Sequence, residues 1–154
     1  MAENHKNLKR VQAYGILVLV EAFIANLLAV IVLMQRSWIL AAGYLLVCLI
    51  GGGSIIYAYC AKCPCRDGQC AHVIPGKIAS ILTHRETSPY TLFEIAVVGI
   101  AVLLIYGLPL LWLWGYPIVL VSFVLLMALA SFQAQTVLCR NCSNIYCPLR
   151  RGVS

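Results

Sequence analysis

Apolar positions dominate the chain in four runs, Val11–Met34, Trp38–Tyr59, Thr91–Trp112 and Tyr116–Leu138. Crossing a hydrocarbon core of roughly 30 Å takes about 20 helical residues, and each run is long enough. None alternates polar and apolar residues as a barrel strand does. Inside a bilayer the backbone hydrogen bonds must therefore close within each segment, which a helix achieves. The pattern predicts an all-α integral membrane protein, a four-transmembrane-helix bundle formed as a single membrane domain over residues 1–154. Short turns at Gln35–Ser37 and near Gly115 make it two hairpins, each followed by a cysteine motif.

The polar intervals carry a second pattern. Pro75-Gly76 precedes Lys77–His84, where Ile78, Ile81 and Leu82 share a face at helical spacing. This predicts a short helix lying flat at the membrane surface, with Pro75 in its first turn and Ser88-Pro89 ending it.

Composition agrees with the runs. Hydrophobic residues make up 62% of the 154 positions and charged residues 10%, where a soluble domain carries about 25% charged residues. So few charges cannot coat a water-facing surface. The first run is too long for the apolar part of a signal peptide and has no clear small-x-small site beyond it, so it is expected to stay as a helix.

Charge supplies an orientation. Of the 11 lysines and arginines, only Arg36 falls in a hairpin turn. Lys6, Lys9 and Arg10 precede the first run; Lys62, Arg66, Lys77 and Arg85 lie in the central loop; Arg140, Arg150 and Arg151 follow the last run. The positive-inside bias places both termini and the central loop in the cytoplasm. Anionic headgroups account for the net charge of +6. The expected partners are thus the lipid bilayer and a cytosolic or membrane protein, and nucleic acid need not be invoked.

All of the eight cysteines except Cys48 lie in two motifs at predicted helix exits. The first is Cys60-Ala-Lys-Cys63-Pro-Cys65-Arg-Asp-Gly-Gln-Cys70-Ala-His72, and the second Cys139-Arg-Asn-Cys142-Ser-Asn-Ile-Tyr-Cys147. Both begin with Cys-x2-Cys and contain a Cys-x4-Cys step. The cytosol keeps thiols reduced, so this spacing points to metal binding or thiol redox chemistry, not to a disulfide framework. Cys-x2-Cys brings two thiolates from one turn to one ion, and other segments complete the tetrahedron.

Cys60, Cys63, Cys65, Cys70, His72, Cys139, Cys142 and Cys147 would suffice for two four-coordinate sites, or for one site with spare thiols. Zinc and an iron–sulfur cluster both accept such donors. The pairs Cys63-Pro64 and Cys147-Pro148 resemble ferredoxin segments, although neither motif has three cysteines at x2 spacing. Acylation would account for juxtamembrane Cys60 and Cys139 but not for spacing that continues into the loop. Cys48 reads as a small core residue.

Ionisable groups inside a membrane are expensive and are functional candidates by default. Glu21 and Asn26 fall in the first run and Glu94 near the start of the third. Glu21 and Glu94 are the catalytic candidates, for a proton relay, a cation step or a quinone headgroup contact, with Gln133 and Gln135 as possible partners. Gly51-Gly52-Gly53 permits close helix approach. Trp38, Trp112, Trp114 and Tyr116 form an aromatic belt at the end opposite the cysteines.

No Ser/His/Asp set, phosphate-binding glycine loop or His-Glu-x-x-His motif is present, which disfavours hydrolase and ATPase chemistry. The expectation is a Cys/His metalloprotein acting in redox or electron transfer, with quinone as a further candidate cofactor. The alternatives are soft-metal-ion handling or transport, and a non-catalytic subunit whose zinc cap docks cytosolic partners.

Overall fold

A computed structural model describes residues 2–64, 70–82, 85–142, 144 and 146–148, with side chains from residue 7 onward. Its described elements are helical. They are α1 (Ala2–Arg36), α2 (Trp38–Ile55), α3 (Val73–Ile81), α4 (Leu92–Leu113) and α5 (Pro117–Gln133), with π turns at Ile56–Cys60 and Ala134–Leu138. Four segments are long and apolar enough to cross a membrane: Asn7–Arg36, Trp38–Cys60, Leu92–Leu113 and Pro117–Leu138. They coincide with the four apolar runs to within a few residues. At 35 residues, α1 is about 52 Å long, more than a hydrocarbon core, so its polar first turns extend past the apolar layer.

Local chemistry sets the breaks between elements. Ser37 alone separates α1 from α2, with an extended backbone. Thr91 and Glu94 form a reciprocal capping box at the start of α4, satisfying two backbone donors that the first turn leaves open. Pro117 opens α5, where its missing N–H costs nothing.

In the packed molecule α1 lies against α5 and α2, and α2 lies against α4, whereas the consecutive helices α4 and α5 meet only lightly. Small side chains allow the close approaches: Ala25 and Ala29 are fully buried, with Ala41, Ala101 and Ala130 nearly so. Leu33, Leu113, Phe123 and Met127 fill the space between them. The outside is as apolar as the inside, with Leu49 73% and Ile118 83% exposed. An apolar exterior of this extent, on helices long enough to cross a bilayer, fits contact with lipid.

Of the three consecutive glycines only Gly51 meets another helix: a Cβ there would lie 3.0 Å from Ile105 Cδ1, while Gly52 and Gly53 face open space. Pro109 inside α4 cannot donate to the carbonyl of Ile105, one turn earlier. The Tyr44 hydroxyl of α2 lies 3.0 Å from Ile105 O and shares its single proton between that carbonyl and Asn26. The same hydroxyl touches Asn26 Oδ1, which Cys48 Sγ approaches at 3.7 Å. Cys48 is therefore packed against the core beside a polar contact among α1, α2 and α4.

The short loop helix differs from its sequence expectation. It begins at Val73, four residues before Lys77, and ends at Ile81; His84 lies outside the described residues. Gly76 N donates to His72 O at 2.8 Å, so the first turn closes around Pro75. Gly76 and Ala79 are buried against the protein, while Ile74, Ile78 and Ile81 are exposed. The small residues select the packed face and leave the isoleucines outward.

Candidate thiol centre

The two Cys-x2-Cys segments are presented by the same local device. Each follows a helix whose final turn widens to π geometry, closed by Ala61 N to Ile56 O at 2.9 Å and Cys139 N to Ala134 O at 2.8 Å. Each then turns tightly, with Cys63 N donating to Cys60 O at 3.1 Å and Cys142 N to Cys139 O at 3.4 Å. Such π turns recur at functional sites because they re-aim the side chains that follow.

The described cysteines are half-buried thiols, and thiols of the two motifs lie within electrostatic reach of one another. The electrostatic neighbours of the Cys60 thiol are Cys70, Cys147 and Cys142. Cys139 has Cys147 and Cys142 as neighbours; burial first, and then these thiols, push its ionisation up. Cys63 approaches the Tyr90 phenol, which Cys147 and Cys60 also approach. Burial lowers the His72 pKa, favouring the neutral imidazole that can ligate a metal. Among the described residues, no three His, Cys, Asp or Glu side chains are close enough to hold a metal ion. Cys65, one of the sequence candidates, lies outside the described residues.

A buried ion network anchors the first motif. Lys62, between Cys60 and Cys63, is 6% exposed and Glu94 5%. Lys62 Nζ donates to Pro89 O at 3.0 Å and to both Glu94 oxygens at 3.0 and 3.2 Å, and lies 5.5 Å from the Tyr90 ring centroid. Arg85 Nη2 pairs with Glu94 Oε1 at 2.7 Å, and its guanidinium covers the Tyr57 ring at 5.1 Å. Glu94 Oε2 also accepts from Thr91 N at 2.8 Å. In this arrangement Glu94 ties the first Cys-x2-Cys turn and the loop at Arg85 to the start of α4.

Among the described residues, neutral groups hold the second motif. Asn144 is 2% exposed and donates to Tyr90 Oη at 2.9 Å, while its Oδ1 accepts from Tyr146 N at 3.0 Å. Tyr90 in turn donates to Tyr59 O at 3.2 Å and packs edge-on against the Tyr59 ring, with centroids 4.6 Å apart. Tyr90 thus joins the two motifs. Burial pushes its phenol up in pKa, the Asn144 hydrogen bond opposes this, and the neighbouring thiols add to the rise.

Two further contacts define the surroundings. Gly15 of α1 passes so close to the loop that a Cβ would sit 2.0 Å from Ala71 O. Only glycine admits that approach. Glu21, 8% exposed, accepts from Gln133 Nε2 at 2.9 and 3.2 Å, so the partner proposed from sequence does face it. Gln133 Oε1 is buried and has no hydrogen-bond partner among the described residues. Glu21 and Gln133 lie six residues from Gly15 and Cys139 respectively, or about 9 Å of helix below the thiol layer.

Sequence reasoning used Lys62 and Arg85 only as topology markers and passed over Gly15, Tyr90 and Asn144. Thr91-x-x-Glu94 was the one legible signal for the anchor, since that pattern marks a capping box. No protein-family model, curated protein or solved structure matches this chain.

Proposed function

We propose that this protein is a membrane-embedded metalloprotein whose two cysteine motifs bind a thiophilic centre, an iron–sulfur cluster or zinc, and that it acts as a redox component. The supporting observation is the convergence of both motifs: Cys60 has Cys70 from its own motif and Cys142 and Cys147 from the other as neighbours. Thiols brought together from separated segments form a suitable donor set for a soft metal. The thiols do not yet form a coordination sphere among the described residues, so metal uptake has to draw the segments together. Uptake must also displace protons from buried thiols such as Cys139, coupling binding to pH and to local order.

The chain's own residues have separable parts in this reading. Lys62, Arg85 and Glu94 hold the first motif, while Asn144 and Tyr90 hold the second against it. The arginine and lysine distribution supports a cytoplasmic position for this end, where thiols stay reduced and a cytosolic protein partner has access. Glu21 with Gln133 lies beneath the thiols as the candidate proton-handling group.

The test is metal and acid-labile sulfide analysis with an optical spectrum, on protein purified without oxygen, for wild type, Cys63→Ser and Cys142→Ser. Bound metal in the wild type, reduced by both substitutions and accompanied by faster proteolysis of the central loop and tail, supports the shared centre. A coloured, sulfide-containing protein assigns an iron–sulfur cluster and electron transfer. A colourless zinc protein assigns a structural cap that docks partners. Metal-free wild type, with both variants indistinguishable from it, overturns the metal reading.

A further inference from the structure

The consecutive helices α4 and α5 meet only lightly, and a groove of about 220 Å³ lies between them, lined by Tyr106, Leu110, Phe123, Val124, Met127 and Ser131. Val124 is 46% exposed and Leu110 37%, so the groove opens sideways on the apolar surface. Its walls are hydrocarbon apart from one hydroxyl pair, and that pair has a defined hydrogen-bond sense. Ser131 Oγ donates to Met127 O, one turn back, at 2.7 Å. With the serine proton committed there, the 3.0 Å contact between Tyr106 Oη and Ser131 Oγ takes the phenol proton. The Tyr106 oxygen is left with lone pairs and no proton to offer. In an apolar groove such an acceptor favours a ligand that donates.

The geometry points to this groove as the binding site for the hydroquinone head of a membrane quinol, with a quinol hydroxyl donating to Tyr106 Oη. The apolar walls and lateral opening suit an aromatic head with a lipid tail entering from the bilayer. A plain acyl chain has no donor, and an oxidised quinone brings only acceptor carbonyls. Ser131 precedes Cys139 by eight residues, about 12 Å of helix, which puts the head group below the thiol layer on the same helix. That the donor-bearing lipid is a quinol rests on the redox reading of the thiol centre, whereas the need for a donor follows from the hydroxyl pair alone.

The experiment measures retention of decylubiquinol, decylubiquinone and dodecanol by protein-loaded nanodiscs over empty ones, without oxygen, with metal content determined on the same samples. The wild type is expected to retain quinol in preference to quinone. Tyr106→Phe removes the acceptor and should weaken quinol retention about tenfold, the equivalent of one hydrogen bond. Ser131→Ala releases the phenol proton into the groove and should shift the preference toward quinone, a reversal that a structural role for Ser131 would not produce. Protein carrying both Cys63→Ser and Cys142→Ser should retain quinol as the wild type does, so loss of the metal reading and loss of this one are read separately. Equal retention by loaded and empty discs overturns the site, as does an unchanged preference in both groove variants. Dodecanol held as well as quinol overturns the choice of ligand. Crosslinking between two copies through Val124→Cys shows the groove filled by a second chain and overturns it too.

Discussion

The two Cys-x2-Cys turns share a backbone and differ in what fastens them. Both leave a helix through a π turn and close with a hydrogen bond from the second cysteine of Cys-x2-Cys to the first. The first is fixed by full charges, Lys62 and Arg85 on Glu94, buried at the start of α4. Among the described residues, a neutral amide, Asn144 on Tyr90, ties the second to the first. A buried ion pair contributes little net stability but is expensive to break, because removing one member strands the other without water. A neutral hydrogen bond contributes about 1 kcal/mol and its loss is felt locally. The first turn is therefore the fixed half of the thiol centre and the second the half that docks.

The most severe test of that contrast is Glu94→Leu. It leaves Lys62 buried without its counter-charge and should cost about 3–5 kcal/mol, seen as a lower unfolding midpoint in detergent and rapid proteolysis of the central loop. Stability close to wild type would mean that the ion network does not hold the first turn. Asn144→Ala should be milder, about 1–3 kcal/mol, and its effect should be confined to the tail: Cys142 and Cys147 alkylate faster while Cys60 and Cys63 do not. Equal acceleration at all four thiols would erase the distinction between a fixed and a docking half. Tyr44→Phe is the remote control. Losing the hydroxyl shared by Asn26 Oδ1 and Ile105 O should cost about 1 kcal/mol and leave alkylation at both turns unchanged. A change at either turn would show that the core and the thiol end are coupled.

Much of this was legible without coordinates. The four spans follow from apolar runs, because bilayer thickness sets a minimum length and lipid demands internally closed backbone hydrogen bonds. The cysteines at two helix exits were equally visible, since a terminal motif needs only a boundary to be placed. Helix α3 was partly legible: Ile78 and Ile81 do share an exposed face, but its start was set too late. Pro75 does lie in the first turn, which the bond from Gly76 N to His72 O closes, so the helix starts at Val73 and not at Lys77.

By itself, then, the sequence determined the properties that depend on runs and local spacing: helical class, number of spans and placement of the thiols near one boundary. Tertiary structure decided whatever needs two distant segments to meet. Lys62 could have been one more basic residue of a loop until folding set it on Glu94, 32 positions away. Tyr90 became the hinge between the motifs only because Asn144, 54 positions on, reaches it. The Tyr44 hydroxyl reaches both Asn26 Oδ1 and the Ile105 carbonyl to which Pro109 cannot donate, a need created in one helix and addressed from another. The physical reason is common to all three. A polar group in an apolar setting must find a partner; sequence shows that the need exists, and only packing determines which group meets it.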